Sequence, residues 1–566
     1  MRRVGDRSKQ TFDVLVVGSG ASGGWACKRL AEAGLKVALL DAGRLQSDAN
    51  FTEHQPDFQF KYRNRARNLI AKTRPIQGGY AHEANVDWLA NDLEEPYTTS
   101  PRMPFKWVAR VRITGGRTNL WGRHSYRFSD LDFKAASHDG EGIDWPLSYK
   151  DLEPYYDLVE EYVGVTGMRE GLPQLPDGKF QPPMGLTCVE MLVRERIKAK
   201  LGWTLTQGRL ANLTRPTHGR APCHYCGPCH RGCATHSYFN SAFTTVADAL
   251  ASGNCTLIPN AMVYKVLRDA TRNRAKGLLY IDRVSYQPKE IYGRVVVLCA
   301  QALESARILF NSADTQYPTG LANSSGVLGR YLMDHVWMGG GAYGEFPQLP
   351  VKPNLNGPNR PGGIYIPRFQ NLENGQKSRN FLRGYGFQTW DDDPKPNLEV
   401  EGFGEIYKKK IMEDRPSKML LRGFGECLSC RENYVELDPN LKDVYGIPVL
   451  RIHMKFRENE HALIDDMAET AAQMMEAAGA KNIKPYTVHD REPGLGIHEV
   501  GIARMGDDPR NSVLNQFEQS HDIKNLFVMD GSGFPSSACQ NPTLTIMALC
   551  VRSCDYLMGK MRKGNI

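Results

Sequence analysis

The sequence predicts an α/β fold whose first unit is a Rossmann-like dinucleotide site. Three features carry this reading. A strand, a glycine turn, a helix and a second strand follow one another near the start. A second buried strand leads into a helix over residues 295–307. Between residues 334 and 484 strands, such as those over residues 363–367 and 398–404, alternate with polar loops, the pattern of an antiparallel sheet.

The first unit can be taken apart residue by residue. Residues 12–17 form a β-branched run that ends on Gly18-Ser19-Gly20-Ala21-Ser22-Gly23. A helical stretch runs to Ala33 and stops at Gly34, and a second strand over residues 36–40 ends at Asp41. Gly18 permits the tight turn, Gly20 lets backbone approach a pyrophosphate, and Gly23 lets helix pack closely on strand. The helix N-terminus offers free N–H groups and a positive dipole to the phosphates. Asp41 is placed to accept from a ribose and to disfavour a 2′-phosphate.

Composition narrows the rest. A chain of 566 residues has room for more than one core. No segment approaches the ~20 apolar residues of a membrane helix, so no membrane span is expected. The net charge of +8 reads as spread along the chain, with small clusters at Arg2, Arg3, Arg7 and Lys9 and at Lys560, Arg562 and Lys563. Charge without a basic element interleaved with aromatics argues against nucleic acid. Met1-Arg2-Arg3-Val4 is not followed by an apolar stretch, so no export signal of its own is expected.

Thirteen cysteines are too few for a disulfide scaffold at this length, and four fall within Cys223-His224-Tyr225-Cys226-Gly227-Pro228-Cys229-His230-Arg231-Gly232-Cys233. The spacing C-x2-C-x2-C-x3-C is that of a bacterial ferredoxin run, with Ala234 where those have proline. Cys223, Cys226, Cys229 and Cys233 are therefore read as ligands of an iron–sulfur cluster, 3Fe-4S or 4Fe-4S. A zinc knuckle, and cysteines that bind nothing or pair as disulfides, are the alternatives. Cys427 and Cys430 form an isolated Cys-x2-Cys pair and are read as structural.

Further along come Arg112-Ile113-Thr114-Gly115-Gly116-Arg117-Thr118-Asn119-Leu120-Trp121-Gly122, the turn at residues 299–307, and Gly329-Arg330-Tyr331-Leu332-Met333-Asp334-His335. At the C-terminus stand His498-Glu499-Val500-Gly501, Met529-Asp530-Gly531-Ser532 and Gln540-Asn541-Pro542-Thr543, the last opening an apolar helix that runs to Cys554. With the first glycine unit, these blocks resemble the glucose–methanol–choline flavin oxidoreductases from Asp13 to the last helix.

That resemblance implies an FAD-dependent enzyme acting on CH–OH groups. The fold it implies is a Rossmann-like FAD-binding domain interleaved with a substrate domain built on an antiparallel sheet. The FAD-binding parts are 11–160, 246–333 and 491–560, the cysteine insertion is 161–245, and the substrate domain is 334–490. Gly115, Gly116 and Asn119 belong to the loop beside the flavin, Val263 to the strand along the adenine, and Asp530, Gly531, Pro542 and Thr543 to the wall around phosphate and ring. Leu120 stands where some relatives carry a histidine bonded to the flavin, which implies non-covalent FAD. His335 is read as structural.

Alcohol oxidation needs a base for the hydroxyl proton and a donor for the oxygen as charge develops. Histidine suits the first role near neutral pH, and an asparagine amide suits the second. The resemblance assigns these roles to His498 and Asn541.

By similarity to pyranose oxidases and bacterial glycoside 3-dehydrogenases, the expected substrate is a sugar or glycoside oxidised at a secondary hydroxyl, position 3 before position 2. Gln388, Trp390 and Tyr407 are read as polar or aromatic groups of the substrate sheet. A cluster implies that electrons leave through protein to a cytochrome or other acceptor. It also implies a small partner subunit bearing an export signal, and hence a periplasmic rather than cytoplasmic site of action. A pyranose 2-oxidase-like enzyme using dioxygen and a non-catalytic FAD/cluster redox subunit are the competing readings.

Overall fold

The protein is described from a computed structural model, which covers residues 11–352, 360–372, 380–389 and 400–566. The basic N-terminal cluster, Trp390 and Leu398-Glu399 lie outside the described residues.

The strand Thr11–Val17 is the centre of a seven-stranded sheet. Val14, Leu15 and Val16 are fully buried. Their apolar run is continuous because the strand is buried on both faces. Thr11–Val17 pairs in parallel with Val37–Leu40 on one side and Pro288–Leu298 on the other. Cys255–Ile258 extends the first side, and Leu526–Val528 pairs in parallel with the end of Pro288–Leu298. The sheet is completed by two antiparallel strands, Arg274–Asp282 and Ala261–Asp269.

Three distant parts of the chain thus finish level at one edge. The next residue of each strand seals the edge by donating its N–H to a neighbour: Gly18 to Leu40, Cys299 to Val17 and Met529 to Leu298, each at 2.8 Å.

The helix Ala21–Glu32 follows the first strand, and the C-terminal helix Thr543–Arg562 packs against it. A methyl group at Gly23 would collide with the carbonyl oxygen of Gly18, which explains glycine at that contact. The C-terminal helix runs two turns beyond Cys554, where the sequence reading ended it. Among the described residues no helix is long and apolar enough to cross a membrane.

The tract read as the substrate domain forms a six-stranded antiparallel sheet. Its order is Lys481–Thr487, Val336–Val351, Arg415–Gly425, Tyr385–Thr389, Ile364–Ile366 and Thr206–Gln207. The last strand comes from the piece read as the cysteine insertion. That piece also supplies helix Cys188–Leu201, whose Val189, Val193 and Ile197 enter the core of this second layer.

Period-two alternation divides the sheet's faces. Ile364, Ile366 and Phe387 point into the core beneath helix Glu458–Ala478, while Tyr365 and its register partner Gln388 point the other way, over the first sheet's edge.

The strand expected over residues 398–404 does not form at its described end. Residues 400–403 are irregular, and Gly404–Met412 is a helix. Gly402 and Gly404 take positive φ of 132° and 60°, which an extended strand cannot accommodate.

Gly339 and Gly340 let helix Glu458–Ala478 lie close on the sheet. A methyl at Gly340 would collide with the Ile464 carbonyl and stand 2.8 Å from Met467 Cβ. Gly340→Ala should therefore cost about 1–3 kcal/mol through overpacking. Denaturant unfolding monitored by circular dichroism checks this, and an unchanged midpoint would contradict the close approach.

Candidate active site

A cleft of about 1330 Å³, counting space open to solvent at its mouth, lies at the level edge of the first sheet. Crevices at the carboxyl ends of parallel strands are where open α/β sheets bind ligands. The glycine turn forms one wall. Gly18 has φ of 94°, and a side-chain carbon at Gly20 would meet no protein atom within 4 Å, since it faces the cleft. Gly116, with φ of 52°, comes within 3.4 Å of the Gly20 Cα as measured from where its own Cβ would be.

These two glycine loops are tied together. Ser19 Oγ accepts from Gly115 N at 2.8 Å and donates to Asp41, which also accepts from Ser19 N at 2.9 Å and Gly43 N at 2.6 Å. Asp41 lines the cleft, as the ribose reading requires, but its carboxylate also holds the turn.

Val263, Asp530, Gly531, Pro542 and Thr543 line the cleft as well. Asp530 accepts from Ser305 Oγ at 2.6 Å and Ser532 N at 2.9 Å, linking the helix after the second strand to the C-terminal block. Gly23, Gly115, Asn119 and Asn541 are not on the wall. Asn119 is buried behind it, where Nδ2 donates to Gly116 O at 2.8 Å and Thr114 O at 3.1 Å, fixing the glycine loop from the rear. Leu120 packs beside Ala66, Ile70 and Leu89.

Two further features show that the cleft suits a large polar ligand. Trp107 Nε1 and Gln301 Nε2 are buried on its wall without a hydrogen-bond partner. A buried unpaired donor costs about 1–3 kcal/mol unless a ligand satisfies it. The N-terminus of helix Ala21–Glu32 also opens on the cleft, with no side chain capping it. The residues present therefore fit a dinucleotide.

His498 also lines the cleft. Its loop is pinned by Asp334, whose carboxylate accepts from the N–H groups of Gly494, Gly496 and His498, each at 2.9 Å. Burial, then the nearby Glu499, pushes the Asp334 carboxyl up to about 7, against the lowering effect of those N–H groups.

From the glycine loop, Arg117 grips Glu499 with both terminal nitrogens and donates to Ile497 O at 3.2 Å. Ile497 has φ of 61°, a left-handed conformation costly for a β-branched residue, at roughly 1–3 kcal/mol. The clamp from Asp334 and Arg117 holds that strain directly beside the histidine.

The His498 ring meets His335, Nδ1 to Nδ1, at 3.2 Å. Phe424, from the second sheet, packs on both rings, at 4.6 Å from His335 and 5.5 Å from His498 between centroids. Burial holds His335 down to about 3, and it holds His498 well below its ordinary value, with His335, Arg117 and His124 adding to the effect. Both rings are neutral near pH 7. When His498 Nδ1–H donates to His335, His498 Nε2 keeps its lone pair for a substrate proton. His335 was read as structural, and the structure makes it the ring partner of His498.

Asn541 is buried, and its Oδ1 accepts from Gln388 Nε2 at 2.6 Å. That bond fixes the amide so that Nδ2 is left to donate. Sequence reasoning gave Gln388 to the substrate; the structure gives it to Asn541. Nothing in the sequence joins residues 388 and 541, and the signal was only that one face of the strand Tyr385–Thr389 carries a polar group. Tyr407 belongs to the helix Gly404–Met412 rather than to a sheet strand.

The four clustered cysteines lie off the cleft wall, half-exposed and unpaired as disulfides. Burial raises the Cys223 and Cys226 thiols, Cys226 to about 12. The neighbouring thiols Cys229 and Cys233 push in the same direction, which places the four close to one another. Among the described residues no three His, Cys, Asp or Glu side chains converge on the position of a single metal ion. Cys427 and Cys430 are buried and free, with Cys430 donating to Glu432 at 2.8 Å.

The comparisons with known proteins agree with this architecture. Two GMC oxidoreductase models match, one over residues 98–337 and the other over residues 430–550. The 2-methyl-1,2-propanediol dehydrogenase of Mycolicibacterium austroafricanum is 31% identical, over 97% of this chain and 96% of that protein. The fructose dehydrogenase large subunit of Gluconobacter japonicus is 26% identical over 98% of each. Among solved structures, pyridoxine 4-oxidase from Mesorbium loti shares the fold, with a TM-score of 0.62 at 16% identity, covering 97% of this chain and 99% of that one.

Two outcomes follow from this geometry. Gln388→Leu should lower kcat by about tenfold or more through an unpaired, freely turning Asn541, with cofactor content unchanged; steady-state kinetics with absorbance quantitation tests it. A base held neutral far below the usual ~6.5 of histidine should keep kcat/KM level from pH 8 through 6.5. Its acid limb should appear only as pH falls further, and a limb centred at 6.5 would contradict the burial of His498.

Proposed function

Because the chain belongs to the GMC oxidoreductase family, we propose that it is an FAD-dependent dehydrogenase that oxidises a secondary hydroxyl of a pyranose sugar or glycoside to a ketone. The observation that carries this reading is a neutral His498 on the cleft, backed by His335, together with an Asn541 amide that Gln388 orients directly before the wall residue Pro542.

FAD would lie along the glycine turn. Gly20 and Gly116 would give its pyrophosphate room, the helix N-terminus would face its charge, and Trp107 and Gln301 would satisfy its polar edge. Bound there, it supplies the hydride acceptor. The chain's own work is to hold the substrate carbon toward that acceptor, take the hydroxyl proton at His498 Nε2, and donate from Asn541 Nδ2 to the oxygen as charge builds. The sheet face bearing Tyr365 and Gln388, tied to Asn541 through Gln388, would roof the site and exclude water.

The sugar class rests on that polar roof and on the fructose dehydrogenase relative, with position 3 favoured over position 2. A small vicinal diol is the second reading, favoured by the relative named for 2-methyl-1,2-propanediol.

We further infer an iron–sulfur cluster on Cys223, Cys226, Cys229 and Cys233. Their spacing, their free thiols and their mutual proximity support it, since cluster ligands stand farther apart than those of a single ion. Such a cluster would supply one-electron transfer to an external acceptor, in place of dioxygen. Action in the periplasm, by co-export with a small partner subunit, goes with this reading.

Protein purified without oxygen should show a flavin spectrum that bleaches on addition of glucose or a glucoside, and a low-temperature EPR signal that changes with it. His498→Ala should lower the bleaching rate by about 10²–10⁴. Bleaching by a diol and not by sugars would move the substrate to the second reading. An iron-free protein would remove the cluster.

A further inference from the structure

We propose that an exposed basic and apolar surface over residues 58–74 docks an acidic electron-carrying protein beside the cysteine loop. The proposal rests on the reading of that loop as the point where electrons leave. The chain's positive charge is not as evenly spread as its sequence suggested. Lys61, Arg63, Arg65, Arg67, Lys72 and Arg74 fall in a stretch with no Asp or Glu from residue 58 to residue 82. Five of the six are exposed and Arg74 is half-buried. None of the six has a carboxylate ion partner among the described residues.

The carboxylates at the margins of the stretch are otherwise engaged. Asp57 pairs with Arg231 at 2.6 Å, and Glu83 accepts from the backbone N–H groups of Tyr62 and Asn64 at 2.9 and 3.0 Å.

A charge run alone is usually a solvated face. Two observations separate this one from that. Phe58 is 72% exposed, Leu69 46% and Tyr62 44%, so large apolar side chains stand in water among the cations. Burying such groups on a partner is favourable, at roughly 25 cal/mol per Å².

The stretch is also continuous with the cysteine loop. Arg231, between Cys229 and Cys233, reaches Asp57 and also donates to Gln55 O at 3.3 Å, while Thr52 N donates to Arg231 O at 2.9 Å. On its far side Asn85 Nδ2 donates to His230 O at 3.2 Å. Gly232 lies so close on Phe51 that a side chain there would collide with the ring. Whatever sits on the basic surface therefore sits against the half-exposed cysteines.

Small, electrostatically steered interfaces suit transient redox partners. Oxidising one hydroxyl to a ketone releases two electrons and two protons. A haem protein accepts one electron, so two of them are reduced per substrate turned over, and the protons pass to solvent. The surface selects such a carrier when its face is acidic.

The test uses the sugar-reduced holoenzyme with one probe in two charge states: mitochondrial cytochrome c as the basic native protein, and the same protein fully succinylated. The succinylated form should bind in biolayer interferometry and be reduced at least about tenfold faster at low ionic strength. That advantage should fade as salt approaches about 0.3 M. The quadruple variant Lys61→Glu, Arg63→Glu, Arg65→Glu, Arg67→Glu should lose both effects while its turnover with a small neutral dye stays unchanged. Phe58→Ser with Leu69→Ser should weaken binding and leave its salt dependence in place.

Equal treatment of the two cytochromes, or a charge-reversed variant that behaves as the wild type, would overturn the docking surface. So would capture of anionic phospholipid vesicles or of single-stranded nucleic acid with no preference between the cytochromes. Failure of the underlying reading looks different: an iron-free protein that still binds succinylated cytochrome c overturns the cysteine exit and leaves the surface standing.

Discussion

The level ending of four parallel strands from three distant parts of the chain is the constraint on which the site depends. Val17, Leu40 and Leu298 share register, and Val528 joins them. Each strand's next residue donates its N–H to a neighbour's last carbonyl, so Gly18, Cys299 and Met529 are delivered to one edge. The turns that follow can then meet over a single cleft. A register slip in any one strand would turn its core residues to the wrong face and withdraw its turn from the wall.

Above that edge His498 and Asn541 are held indirectly. His498 is placed by Asp334 through backbone N–H groups, by Arg117 through its neighbours, and by His335 through its ring. Asn541 is placed by Gln388 from the roof sheet. Each is held by a partner from another part of the chain, which keeps a strained Ile497 in place, while burial keeps both rings neutral. A site built this way is preorganised, because its polar groups need little reorganisation as charge develops on the substrate.

The buried environment also sets the protonation states. His335 and His124 are held down to about 3, chiefly by burial. In the unfolded chain these rings would take up protons near ~6.5, so the unfolded state binds more protons below that pH. Stability contributed by the buried neutral rings is whole above that value and is lost progressively as pH falls toward their native values.

The sequence by itself determined what is local: the β-α-β unit with its glycines and acid, the apolar strands at 295–298 and 526–528, the period-two tract of the second sheet, and the residue types able to serve as base and donor. These are legible because turn geometry and hydrophobic period act over a few residues. Tertiary structure alone decided which side chains meet. Gln388 reaches Asn541 across 153 positions, His335 reaches His498 across 163, and the edge strand Thr206–Gln207 joins a sheet whose next strand begins at Ile364. It also gathered a basic stretch and the cysteine loop onto one surface. Pairings of this kind depend on how sheets and loops pack in space, and no local pattern in the chain encodes them.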